Sequence, residues 1–227
     1  MWNLLLSIFN INPTLHRQPD WIVGVFFLLL ILIAVTITFH KKKVFLVIQS
    51  VFSQRHFSLL NREGKVFNEH FYILPLSVII LSFSLFCYTL FDYFLPDYHF
   101  PFSTFSLFLM SMVFIMADYA LHRLFFRLFC YFFDYQNDFY YFNLYHFSFL
   151  LINSLLLFPT LLCYYYIPLK IILPIYIFVL FILYLFAHFR IFTSKITEVN
   201  LFYFFIYFCT FEILPYLIVL KWVKVLI

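Results

Sequence analysis

The chain has 227 residues, of which 66% are hydrophobic, 26% aromatic and 11% charged, with a formal net charge of +4. Soluble domains carry roughly a quarter charged residues, so a globule of this composition lacks the polar surface to cover itself, and its excess apolar area must face lipid. The apolar runs are continuous rather than alternating, which argues against a β-barrel and for an all-α polytopic transmembrane helix bundle.

Residues 1–20 read as an interfacial N-terminal lead-in, because they have neither the basic start nor the small-residue cleavage site of a signal peptide. Residues 21–227 read as a single transmembrane helical domain with about six spans plus interfacial amphipathic helices. The first span covers Trp21 to Phe39 and stops at His40-Lys41-Lys42-Lys43. Val44 to Leu60 mixes apolar residues with Gln49, Ser50, Ser53, Gln54 and Arg55, which predicts a helix lying along the headgroups. A polar loop, Asn61 to Lys65, leads to the second span, Phe71 to Phe91, and then to an acidic loop with Asp92 and Asp97. The third span, Phe102 to Leu121, carries Asp118 and ends in His122-Arg123. Arg123 to Asn143 reads as a surface-lying amphipathic stretch. The fourth span covers 144–166, the fifth 171–188 and the sixth 201–220, the last containing Glu212. Pro75, Pro159, Pro174 and Pro215 are candidate kinks.

Loops after the first, third and fifth spans hold Lys41, Lys42, Lys43, Arg55, Arg62, Lys65, Arg123, Arg127, Arg190 and Lys195; the opposite side holds Arg17, Lys170, Lys221 and Lys224. Ten basic residues against four make the first side cytoplasmic and place both termini on the far side. Lys41, Lys42 and Lys43 then meet anionic lipid. No Walker loop, GxGxxG, HExxH or GxSxG occurs, and no cysteine or histidine pair has metal-ligand spacing. No catalytic residue, cofactor, metal or nucleic-acid partner is therefore assigned.

Two acids stand inside the spans. A carboxylate at mid-bilayer costs about 2.5–3.5 kcal/mol on insertion scales, so such residues usually face a protein interior. Glu212 lies about 16 Å into its helix, near the midplane, and its helical face is apolar, so a partner must come from another helix. Pro215 cannot donate to the Phe211 carbonyl, which leaves a spare acceptor one residue from Glu212. A hydrogen-bonding latch comes first and a proton site second. Asp118 lies about 24 Å from the outer end of its helix, next to His122 on an i,i+4 face and beside Arg123. It reads as a charged helix end, or as part of a cluster that holds an anionic headgroup or relays protons. His146 and Asn153 belong to the most polar membrane surface, on the fourth span. Asn153 sits near mid-depth, as a partner for Glu212. On the loop side, Arg55, His56, Arg62, Glu63, Gly64 and Lys65 form the densest polar recognition chemistry, a docking surface for a cytoplasmic partner.

"QRHFSLLNREGKVFNEHFYILPL" (Gln54 to Leu76) and "LFYFFIYFCTFEILPYLIVLK" (Leu201 to Lys221) resemble a family of multi-span inner-membrane proteins of the Bacteroidota, classed as a domain of unknown function. The resemblance rests on the R-E-G loop and the closing C-T-x-E-I-L-P. It implies the inner membrane of a Gram-negative cell, where the count of basic residues puts both termini in the periplasm, and it gives motif positions to Arg62, Glu63, Gly64, Cys209, Thr210, Glu212 and Pro215. It carries no activity. The sequence reading is a non-catalytic subunit of a larger envelope complex, for export or envelope biogenesis, with other inner-membrane proteins as partners. A small proton-coupled transporter using Glu212 and a membrane-embedded lipid-acting enzyme using Asp118, His122 and Arg123 are the alternatives.

Overall fold

The structure is a computed structural model that describes residues 19–62, 72–94, 103–132, 139–167 and 171–195. These residues form helices α1 (Asp20–Phe52), α2 (Gln54–Arg62), α3 (Ile73–Phe94), α4 (Thr104–Phe132), α5 (Phe139–Tyr166) and α6 (Ile172–Lys195). Helix is what an apolar chain in lipid must form, because every backbone polar group has to be satisfied within its own segment. Hydroxyls follow the same logic: Thr36, Ser50, Ser84, Thr89, Ser148 and Ser154 each donate to a carbonyl three or four residues back, at 2.6–2.8 Å.

Among the described residues four helices are long and apolar enough to cross a membrane: α1, α3, residues Thr104–Leu128 of α4 and Asn143–Tyr166 of α5. This is a membrane protein of helical type. The fifth expected span falls on α6, whose described apolar stretch, Ile172–Tyr184, is shorter than a crossing. The sixth, 201–220, lies outside the described residues, as does the lead-in before residue 19.

Two sequence expectations need refining. Val44 to Leu60 is two helical pieces rather than one: α1 is interrupted by a kink at His40 (φ −130°, ψ 31°) and runs on to Phe52, and α2 follows an extended Ser53 (φ −137°, ψ 122°). Val44 and Val47 of α1 and Phe57 and Leu60 of α2 bury among Ile79, Leu144 and Phe147, so tertiary packing outweighs the polar residues between them. The stretch from Asp20 to Phe39 rises about 30 Å, the thickness of the hydrocarbon core. The kink at His40 falls where the apolar sequence gives way to Lys41, Lys42 and Lys43. Arg123 to Phe132 is the end of α4 rather than a stretch of its own, and α5 begins at Phe139. Of the candidate kinks, Pro75 and Pro174 stand in the first turns of α3 and α6, where a missing N–H costs no helical bond, and Pro159 lies inside α5.

Helices α3 and α5 are central: α3 packs on α1, α4 and α5, while α5 packs on α1, α3, α6 and more lightly on α4. Buried residues fall into two groups. One joins Ile22, Phe26 and Leu29 of α1 to Leu85, Phe86, Leu157, Leu161 and Tyr176. The other joins Val44, Val47, Phe57 and Leu60 to Ile79, Leu144, Phe147 and Leu151. At the end of the first group, Trp21 donates to the Thr104 hydroxyl (3.2 Å), and its ring meets Tyr88, Phe105 and Phe108 at 5.1–5.7 Å. Asp20 and Asp92 are exposed at this end, whereas the described basic residues Lys41, Lys42, Lys43, Arg55, Arg123 and Arg127 lie towards the other.

Candidate functional site

Three features stand out, and each is set by the helices that carry it. The first is a cluster at the basic end. Tyr72, one residue before α3, and Tyr119 of α4 share a short hydroxyl–hydroxyl bond. Arg123, one turn on from Tyr119, donates through Nη1 to the Tyr72 oxygen at 3.4 Å and sits 6.0 Å from the centre of its ring. His122 stacks on His146 of α5, with ring centres 4.3 Å apart and planes within 20°. The Tyr119 ring lies nearly parallel to His146, with ring centres 6.4 Å apart. The Tyr72 ring also rests on Phe147 at 5.1 Å. The i, i+3 and i+4 spacing of Tyr119, His122 and Arg123 puts all three on the α4 face turned to α3 and α5. Asp118, partly buried on the same helix, lies within Coulombic range of Cys87 on α3.

The expected grouping of Asp118, His122 and Arg123 is thus joined by His146 from another helix and by two tyrosines. Helical spacing already sets Tyr119 with Arg123 and Arg127 on the face beside Asp118 and His122, though without a role for its hydroxyl. Tyr72 carried no local signal at all. The cluster supplies hydroxyl, imidazole and guanidinium donors at a helix end, a chemistry suited to an anionic headgroup.

The second feature is a polar seam between the two buried groups. Ser82 stands on α3 between Ile79 and Leu85, which belong to different groups, and Asn153 stands on α5 between Leu151 and Leu157. Ser82 is 0% and Asn153 1% exposed. Neither the Ser82 hydroxyl nor the Asn153 Nδ2 and Oδ1 has a hydrogen-bond partner. The Asn153 backbone carbonyl does accept, from the Tyr176 hydroxyl at 3.3 Å. Among the described buried Ser and Thr residues, Ser82 alone fails to bond back to its own helix. Glu212, the partner expected for Asn153, lies outside the described residues.

The third feature is the outward face of α4. Only 11% of its span is buried, against 50% for α3 and for α5. Met110, Val113, Ala117, Leu121 and Leu124 recur at spacings of three and four, and all are exposed. Of the docking candidates on the loop side, Arg55 is exposed at the start of α2 and His56 is half-buried, with its Nδ1 lacking a hydrogen-bond partner. Arg62 closes α2, while Glu63, Gly64 and Lys65 lie outside the described residues. Lys41 and Lys42 are exposed just past the bend in α1, and Lys43 is half-buried. Among the described residues no group of three His, Cys, Asp or Glu is placed to hold a metal ion.

No curated protein and no solved structure matches this chain. A match over residues 22–223, which takes in the described helices from Ile22 onward and all three features, shows that the chain belongs to DUF4271, a family described as a domain of unknown function.

Proposed function

We propose that the protein is a non-catalytic integral inner-membrane subunit of a larger envelope complex, and that α4 is the helix it offers to a transmembrane helix of a partner protein. The observation that carries this reading is the bareness of α4. It is long and apolar enough to span, yet 11% of its span is buried. Its outward stripe is built around Ala117, with Met110 above it and Met116 and Ala120 beside it. Small residues let helix backbones approach, and methionine adapts to irregular neighbours, which is how membrane helices associate when lipid is as apolar as leucine. Three of the chain's 4 methionines, Met110, Met112 and Met116, are on this one helix. The basic end supports a cytoplasmic placement of Lys41, Lys42, Lys43, Arg55 and Arg123 by the positive-inside rule, with the acidic Asp20 and Asp92 end periplasmic. Export or envelope biogenesis is the process such a subunit serves in this reading.

Ala117→Trp is the test. It fills the stripe with a bulky ring on the lipid side and leaves the bundle interior untouched. In mild detergent the wild-type chain should co-purify with a membrane partner at fixed stoichiometry. The A117W chain should lose that partner while keeping its melting temperature. A monodisperse lone wild-type protein, or a partner retained by A117W, overturns the reading.

A second reading, handling of an anionic lipid headgroup at the basic end, is favoured by the convergence of Tyr72, Tyr119, His122, Arg123 and His146. Arg123→Leu separates the two: it should weaken binding to vesicles of anionic lipid and leave partner recovery intact.

A further inference from the structure

The contact between Arg123 and Tyr72 is a weak one. Nη1 donates to the Tyr72 oxygen at 3.4 Å, longer than the about 2.7–3.2 Å of a good N–H···O bond, and the guanidinium stands 6.0 Å from the ring centre. A phosphate oxygen on the same guanidinium makes a charge-assisted bond, roughly twice as strong as a neutral one, and the fork can add a second beside it. Tyr72 is also placed to yield. It stands immediately before α3 rather than inside it, and its hydroxyl keeps its bond to Tyr119 when it leaves Arg123.

The donors around this contact come from three directions. Tyr72 stands at the start of α3, Tyr119, His122 and Arg123 on α4, and His146 on α5. A phosphate monoester presents three free oxygens to such a cup, whereas a diester presents two, and a carboxylate two in one plane. The Tyr72–Tyr119 pair holds two hydroxyl hydrogens for one mutual bond, so the second can turn to a phosphate oxygen.

Charge points the same way. Arg127 is exposed and follows Arg123 by one turn on the ladder Tyr119, Arg123, Arg127. Helical side chains lean towards the N-terminus, which carries the Arg127 guanidinium back towards Arg123. Two guanidiniums suit the roughly −1.5 to −2 charge of a monoester at pH 7, while a diester brings a single charge. Asp118 is set a turn deeper, on the His122 face rather than on the arginine ladder. The apolar span of α4 ends at Leu128, so both arginines stand at headgroup depth, with Phe125 and Leu128 exposed beside them. That depth makes the ester a lipid.

We propose that Arg123 and Arg127, with Tyr119, His122 and His146, seat the terminal phosphate of a lipid monoester, and that Tyr72 is the internal plug this phosphate displaces from Arg123. The proposal rests on the headgroup reading of the same cluster and narrows it to one phosphate chemistry with a built-in competitor. It is independent of docking at α4, and A117W should leave every readout below unchanged.

The test titrates the purified chain in mild detergent with phosphatidate, a monoester, and with phosphatidylglycerol, a diester, read by native mass spectrometry. Wild type should bind phosphatidate about tenfold more tightly. Arg127→Leu, a change at an exposed site that leaves the packing alone, should bind the two lipids alike. Arg123→Leu should lose both. Tyr72→Phe should bind phosphatidate several-fold more tightly than wild type although it melts lower, and its deficit in melting temperature should shrink in saturating phosphatidate. Tyr119→Phe, which leaves the plug in place, should not tighten binding. If wild type binds neither lipid, or R123L binds both as wild type does, the headgroup reading falls and the proposal with it. If R123L loses binding but wild type shows no preference for phosphatidate, the headgroup reading stands and the monoester is overturned. A Y72F chain that binds phosphatidate no more tightly than wild type overturns the plug. Displacement of phosphatidate by equimolar glycerol 3-phosphate overturns the lipid source in favour of a soluble ester.

Discussion

Helices α4 and α5 are near twins as sequences. Their spans have 25 and 24 residues and nearly equal mean hydropathy, yet 11% of one and 50% of the other is buried. Hydropathy measures the contrast with water, and in a bilayer a lipid-facing and a protein-facing leucine are equally comfortable. What separates the twins is their polar content. On α5, Ser148, Asn153 and Ser154 are buried side chains that must be satisfied inside the protein. On α4 the charged residues gather at the basic end, Ser111 is the one buried polar side chain among the described residues of the span, and the midspan outward face is methionine, valine and alanine. The helix with more polar side chains at mid-depth is the one the bundle closes around.

The sharpest way to break this comparison is to truncate one phenylalanine on each helix. Phe147 of α5 is 0% exposed and Phe114 of α4 51%. Phe147→Ala should destabilise the purified protein by about 3–5 kcal/mol, the cost of a large cavity in a close-packed core. Phe114→Ala should stay within about 0.5 kcal/mol, as a surface change does. Equal losses, read by thermal unfolding in one detergent, would mean that α4 is covered in the isolated chain. A smaller effect is expected where the helices meet. Tyr72→Phe removes the hydroxyl that bonds Tyr119 and Arg123, and should cost about 1–3 kcal/mol through the groups left unmet. Arg123→Leu should cost less than Tyr72→Phe, since Tyr72 and Tyr119 keep each other.

Much of the fold was legible because lipid imposes simple rules. Continuous apolar runs had to be helices, and Trp21, Pro168 and the Lys41–Lys43 run marked boundaries that the described helices respect closely. Packing was less legible. Polar residues at 49–55 and 123–143 suggested surface helices, yet Val44 and Val47 of α1 and Phe57 and Leu60 of α2 bury against α3 and α5. Periodicity within those segments held that information, while polarity masked it. For the sites, Asp118, His122 and Arg123 were legible as neighbours on one helix. Tyr72 was not, because its contact with Tyr119 spans 47 residues of chain and nothing local encodes it. Asn153 was legible as a polar residue at mid-depth, but only burial shows that its amide lacks a partner.

The smallest effect concerns how a peripheral helix is held at all. The start of α4 is pinned by Trp21, which combines a hydrogen bond to Thr104 with ring contacts to Phe105 and Phe108. The bond is exposed, so on its loss water or headgroups can take up both the indole N–H and the hydroxyl. The ring contacts have no such substitute, since they bury apolar area against partly covered neighbours. Thr104→Val should therefore change stability by no more than about 0.5 kcal/mol, whereas Trp21→Ala should cost several times as much. Trp21→Phe should fall between them, keeping part of the ring contact without the donor. Thermal unfolding of the three variants orders these contributions. If Thr104→Val instead matched Trp21→Ala, the hydrogen bond would be the fastener of α4, and the distinction between a helix held by packing and one held by polar contacts would move from α5 to α4.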